Sequence, residues 1–198
     1  MKKTIFFILV IGLAIPGYVK AQSGYTSFQY QIGFGMGDLG DYIGKASFRG
    51  AVFDYQKNLN SSLSVGLELA WSTFYEKREY DTYTVEPYSV SGIQYRYSNM
   101  FPMLLTAEYY FMNEGSVRPY FNLGFGTMYT IRDTDMGLWR LEEKAWQFGL
   151  KPELGVIYNV GTNSSVKLEG KYYMGLGGSK LENQSFLAIS AGMVFLIF

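Results

Sequence analysis

The chain has 198 residues, with 17 basic and 17 acidic side chains, no histidine and no cysteine. Balanced charge gives no footprint for nucleic acid. The missing cysteine excludes disulfides, thiolate metal sites and a lipid-modified cysteine, and the missing histidine removes the side chain best suited to acid–base chemistry near neutral pH.

Residues 1–21 read as a secretory signal peptide, which leaves 22–198 as the mature domain. Lys2 and Lys3 form a positive start and Ile5–Ile15 an apolar run. Pro16-Gly17 breaks that run, and Val19-Lys20-Ala21 supplies small residues for cleavage. The apolar run is too short to span a membrane, which takes about 20 residues. The leader carries three of the 17 basic residues and no acid, so the mature chain has a formal charge of −3.

From Gln22 onward the pattern predicts eight strands. Strand one is Tyr25–Gly37, followed by a short loop Asp38–Asp41. Strand two is Tyr42–Lys57, with a polar turn at Asn58-Leu59-Asn60-Ser61. Strand three is Ser62–Tyr75, and a long polar segment, Glu76–Asn99, follows. Strand four is Met100–Met112, with Pro102 near its start, then a turn at Asn113-Glu114-Gly115-Ser116. Strand five is Val117–Ile131, and a charged loop covers Arg132–Glu143. Strand six is Lys144–Asn159, with a turn at Gly161-Thr162-Asn163. Strand seven is Ser165–Met174, and a Gly-rich loop spans Gly175–Gln184. Strand eight is Phe186–Phe198, thirteen uncharged residues rich in β-formers. That length suits a tilted transmembrane strand, which needs about 9–11 residues. Such an apolar edge demands a partner strand from the same chain.

An even strand number brings both ends to one side. The three tight turns fall on that side and the longer loops on the other, which is the asymmetry of outer-membrane barrels. Several strands alternate with period two. Trp146, Phe148, Leu150, Leu154, Val156 and Tyr158 share one face of strand six, and Gln147, Lys151, Glu153 and Asn159 the other. Val166, Leu168, Tyr172 and Met174 oppose Lys167, Glu169 and Lys171. Leu63, Val65, Leu67, Leu69 and Trp71 of strand three oppose Glu68, Met103, Leu105, Ala107, Tyr109 and Phe111 of strand four oppose Glu108, and Phe121, Leu123, Phe125, Tyr129 and Ile131 of strand five oppose Arg118 and Asn122. Trp71, Tyr75 and Trp146 fit one aromatic girdle, and Phe53, Tyr55, Tyr109, Phe111 and Tyr158 the other. Strand two is irregular. Its pattern makes Arg49 inward and Asp54 outward, so either a bulge resets the register or Asp54 lies beyond the hydrocarbon.

These features, together with the terminal Phe198, resemble the small eight-stranded outer-membrane barrels of the OmpX, OmpW and OmpA transmembrane type. The resemblance covers nearly all of 22–198. It implies an all-β, antiparallel, up-and-down transmembrane barrel in the outer membrane of a Gram-negative cell. It further implies lipid contact, with Phe198 as the signal read by the barrel assembly machinery. No domain follows the barrel, so no peptidoglycan-binding module of the OmpA kind is expected.

The inward set is predicted to be Arg49, Glu68, Glu108, Arg118, Lys151, Glu153, Lys167, Glu169 and Lys171. Five cations facing four anions suggest a cross-paired, filled lumen, since charges in a confined interior need partners. Barrel enzymes of this kind resemble one another in using a catalytic histidine, so no enzyme, cofactor or metal is expected. The run Gly35-Met36-Gly37-Asp38-Leu39-Gly40 matches a dinucleotide fingerprint, but the following residues read as a strand and not the required helix. Asp133, Asp135, Glu142 and Glu143 lack the spacing of a calcium loop. The segment Glu76–Asn99 holds Tyr80, Tyr83, Tyr88, Tyr95 and Tyr97. Two readings stay open there: a recognition surface for an extracellular ligand or protein, or tyrosines packing on one another along extended strands. The functions to separate are a structural or recognition role through exterior loops, an OmpW-like path for small apolar molecules, and a soluble secreted ligand-binding barrel.

Overall fold

The computed structural model describes residues 24–85, 88–112, 115–137, 139–161, 163–178 and 181–197. The predicted signal peptide and Phe198 lie outside them. The strands are β1 (Gly24–Met36), β2 (Ser47–Asn58), β3 (Leu63–Val85), β4 (Tyr88–Tyr110), β5 (Val117–Met136), β6 (Trp139–Asn159), β7 (Ser164–Leu176) and β8 (Gln184–Ile197). Each pairs antiparallel with its sequence neighbours, and the ring closes. The closing ladder runs unbroken from Gly24–Ile197 to Met36–Ser185. No edge is left within the ring, which is how a closed barrel avoids the exposed-strand hazard.

The alternation resolves with the apolar face outward. Phe28, Tyr30, Leu67, Leu105, Phe125, Phe148, Leu168 and Ile189 are exposed, while Gln29, Glu68, Glu108, Lys151, Lys167 and Ser190 are buried. A soluble ligand-binding barrel needs the reverse. An apolar exterior around a charged interior is the pattern of a wall facing lipid. Trp71, Trp146, Tyr109, Phe111 and Tyr158 are exposed on this outer face near the strand ends, where amphipathic rings anchor at the interfaces.

Three predicted boundaries change. Strand two starts at Ser47, because Asp38–Tyr42 forms a short helix, α1. Gly37, at φ 54°, turns the chain out of β1 and into this helix, a conformation that glycine adopts at little cost. The helix tucks into the barrel mouth, with Leu39 and Ile43 fully buried. Next, the polar segment Glu76–Asn99 is mostly strand. β3 and β4 run 23 residues each, against 12 to 14 for β1, β2, β7 and β8. The excess amounts to about 30 Å of strand at roughly 3.3 Å per residue. Finally, the charged loop 132–143 is a hairpin that lengthens β5 and β6 and turns at Gly137. Local polarity suggested loops here, but cross-strand pairing supplies the backbone partners.

Candidate functional site

The lumen is stacked in layers. Near the turn-bearing end Tyr25, Tyr110, Tyr120, Ile157 and Val194 cluster. Toward the opposite end Leu39, Ile43, Phe74, Met100, Leu104, Met128, Tyr173 and Phe186 form a larger apolar layer. Between them lies a buried ionic cluster.

Lys151 pairs with Glu68 at 2.5 Å and also with Glu153. Lys167 reaches Asp54 at 3.1 Å, Glu169 at 3.0 Å, Glu108 at 3.5 Å and Glu153 at 3.7 Å. Lys171 reaches Glu68 at 3.1 Å and also Glu169. Three ammonium groups therefore meet five carboxylates, and all of these side chains are fully buried. Neutral donors offset part of the anionic excess. Tyr25 donates to both oxygens of Glu108 at 2.8 and 2.9 Å. Tyr120 donates toward Glu153 at 2.9 Å and Glu169 at 2.5 Å, and Tyr173 to Glu68 at 2.7 Å. Gln29 and Ser27 donate to Asp54 at 2.8 and 3.1 Å.

The structure thus brings together seven of the nine expected lumen charges: Glu68, Glu108, Lys151, Glu153, Lys167, Glu169 and Lys171. Arg118 points inward at the barrel end and lies over the Tyr110 ring at 4.1 Å, away from the ion pairs. Arg49 is not in the lumen. A β-bulge places Phe48 and Arg49 together opposite Ile32, between the pairs Gln31–Gly50 and Gly33–Ser47. Both bulge residues are exposed. The same reset turns Asp54 inward, where it is fully buried. The predicted ratio of five cations to four anions becomes three to five. Asp54 and the tyrosine donors were missed because strand two has no clean alternation and tyrosine suits either face.

Glycines make room for this cluster. Tyr120 sits opposite Gly155 in the β5–β6 ladder, and its hydroxyl lies 2.3 Å from where a Cβ on Gly155 would stand. The ring crosses the bare backbone of β6 to reach the glutamates. Pairing a large with a null side chain fits an interior only just wide enough to be filled.

The second region is the sheet that β3–β6 raise past the girdle. Its inner face holds α1 in place. The Tyr42 ring lies between Arg132 at 4.1 Å and Arg96 at 4.8 Å. Its hydroxyl donates to the Asp133 carbonyl at 3.0 Å and contacts Thr134 at 2.5 Å. Arg96 also donates to the Tyr42 carbonyl at 2.9 Å. Burial raises the Tyr42 phenol above its usual pKa, while the Thr134 contact and both guanidinium groups pull it back. On the outer face the Tyr75 and Tyr97 rings pack in a tilted pair at 4.9 Å, and Lys77 lies 5.9 Å from the Tyr95 ring. Tyr80 is 72% exposed and Trp139 63%. The Tyr83 hydroxyl donates to the Glu79 carbonyl at 2.7 Å, and Tyr88 opens β4 opposite Val85. Arg140 takes up Asp133 and Asp135, and Lys144 takes up Glu142. Among the described residues no acidic group is arranged to hold a metal ion.

No protein-family model matches the sequence, and no curated protein matches it. Solved structures do match. Neisserial surface protein A is 15% identical, with 87% of this chain and 96% of that one covered, at a TM-score of 0.56. The attachment invasion locus protein Ail of Yersinia pestis is 12% identical, with 90% and 100% covered, at 0.57. The outer membrane protein OprG from Pseudomonas aeruginosa is 14% identical, with 90% and 97% covered, at 0.57. Strand number, ring closure, apolar exterior and these likenesses agree: the chain has the fold of the small outer-membrane β-barrels.

Proposed function

We propose that this barrel is a closed, non-enzymatic outer-membrane protein that works by recognition through the sheet raised by β3–β6. The observation that carries this is the difference in strand length. Four adjacent strands outrun the other four and present Tyr80, Ile93, Trp139 and Leu141 beyond the girdle. Rigid aromatic groups on a rigid sheet give contact area at low entropic cost. The partner is an extracellular protein or polysaccharide. The terminal strand β8, which closes the ring against β1, is the segment through which the assembly machinery would act, with Phe198 as its signal. The test compares the full chain with a variant whose residues 79–92 are replaced by Asn-Gly. Both are probed on arrays of matrix proteins and glycans. Binding by the full chain that disappears in the shortened barrel, while heat-modifiable gel mobility persists, supports the reading. Equal binding by both sinks it.

A second reading, passage of small apolar molecules, draws on one feature. The β6–β7 ladder forms no pair at Lys151 and Pro152, since proline has no N–H to give. An outer groove of about 230 Å³, lined by Pro152, Leu154, Gly170 and Tyr172, lies at that seam. Behind the seam stand Lys151, Glu153 and Lys171 in their ion pairs. A charged, filled layer is a poor path for an apolar solute, so recognition is the stronger reading.

A further inference from the structure

The Phe48–Arg49 bulge does more than reset a register. Bulges re-aim side chains, and this one turns a guanidinium onto the outer wall of the barrel. The last β2–β3 pairs are Ala51–Trp71 and Gly50–Ser72, so Arg49 stands just past the Trp71 girdle residue. That is the height of the headgroups on the hairpin side. A pocket of about 270 Å³ opens there, lined by Ala46, Ser47, Phe48, Arg49, Thr73 and Tyr75. It is floored by polar groups: Ser47 donates to the Thr73 carbonyl at 2.6 Å, and Thr73 to Asn99 at 2.7 Å. Phe48 is 64% exposed beside it, and Tyr75, in its tilted ring pair with Tyr97, forms the far wall.

Charge distribution on the outer face points the same way. On the β5–β6 side each cation has a carboxylate: Arg140 has Asp133 and Asp135, and Lys144 has Glu142. At the β2–β3 corner, among the described residues, neither Arg49, nor the exposed Lys45, nor Lys77 forms a salt bridge. An unpaired guanidinium, a polar floor and an exposed aromatic ring at headgroup height have the chemistry of a phosphate ester joined to an apolar tail. Guanidinium matches phosphate oxygens two at a time.

We propose that this corner binds the phosphate of a membrane lipid headgroup, with Arg49 as its principal ligand and Lys45 and Lys77 adding positive field. The proposal rests on the lipid-facing wall and is independent of the recognition role given to the hairpins.

The test uses the full chain folded in a phosphate-free maltoside detergent. Phosphatidic acid, diacylglycerol and inorganic phosphate are the probes, and retained lipid is counted by native mass spectrometry. The wild type is expected to retain phosphatidic acid and to lose diacylglycerol. Arg49→Gln should weaken phosphatidic acid retention about five-fold, the scale of one basic residue at a membrane surface. Arg49→Lys should retain an intermediate amount, and Arg140→Gln should match the wild type. Three results overturn the proposal. Equal retention by Arg49→Gln and wild type removes Arg49 as the ligand. Diacylglycerol held as well as phosphatidic acid leaves only an apolar groove. Inorganic phosphate that displaces phosphatidic acid at equal concentration makes this a free-anion site and not a lipid site.

Discussion

At the scale of single residues, Lys151 and Gly155 show how little slack the lumen has. Lys151 holds Glu68 and Glu153 together. Lys151→Met would leave both carboxylates short of a cation in a layer that already holds more acids than bases. Removing one partner of a buried pair costs about 3–5 kcal/mol, so the urea midpoint for unfolding from lipid vesicles should fall clearly. Arg140→Gln, which breaks an exposed pair, should leave that midpoint in place. Gly155→Ala tests packing rather than charge. The new methyl meets the Tyr120 ring, which must swing off Glu153 and Glu169. Overpacking of this kind costs about 1–3 kcal/mol. A double variant with Tyr120→Phe should not recover the wild-type midpoint, because the ring itself is the obstacle. Tyr120→Ala combined with Gly155→Ala should be no worse than Tyr120→Ala alone.

Among the elements, α1 is the least expected. Five residues form no stable helix unaided. The segment is held by burying Leu39 and Ile43 and by the arginine clamp on Tyr42. Leu39→Ala should cost about 2–4 kcal/mol if the cavity stays dry, read as faster hydrogen exchange over residues 37–46. The clamp also sets a pH limit. Burial raises the Tyr42 phenol in the folded barrel, so its contribution is complete below the unfolded value of about 10. That contribution is lost as pH rises through the folded value, because the unfolded state then holds fewer protons. Arg96, Arg132, Thr134 and Glu143 are the groups facing it. Exchange over residues 37–46 should therefore accelerate above pH 10 in the wild type. In Tyr42→Phe the same window should show no extra acceleration; an unchanged pH profile would remove Tyr42 as the source.

For the whole molecule, sealing follows from stacking. An ionic layer lies between two apolar layers, and α1 caps one of them. An eight-stranded ring has an interior just wide enough for side chains, and here these are paired or packed. The protein in planar bilayers should show no large steady conductance, and a stable wide channel would contradict the closed lumen. In cells it should sediment with the outer membrane and resist carbonate washing, as an apolar wall embedded in lipid requires.

Period-two alternation in β3–β7 was enough to place Glu68, Glu108, Lys151, Glu153, Lys167, Glu169 and Lys171 on one face, because a strand's geometry sends alternate residues to opposite sides whatever surrounds it. Even strand number and the tight turns likewise set the up-and-down order. Neither could say which side of the wall was inside, nor where the alternation slips. The secretory leader, the loop sorting and Phe198 pointed the apolar face outward, and ring closure turns the charged face of the strands toward a common axis. The β2 bulge decided the second, since it exists only where β2 is matched against β1, and it exchanged Arg49 for Asp54 in the lumen. The long hairpins and α1 were hidden for a related reason. Polar sequence between strands reads as loop until cross-strand partners claim its backbone groups, and Leu39 and Ile43 are too few to signal a buried element until a barrel mouth stands ready to take them.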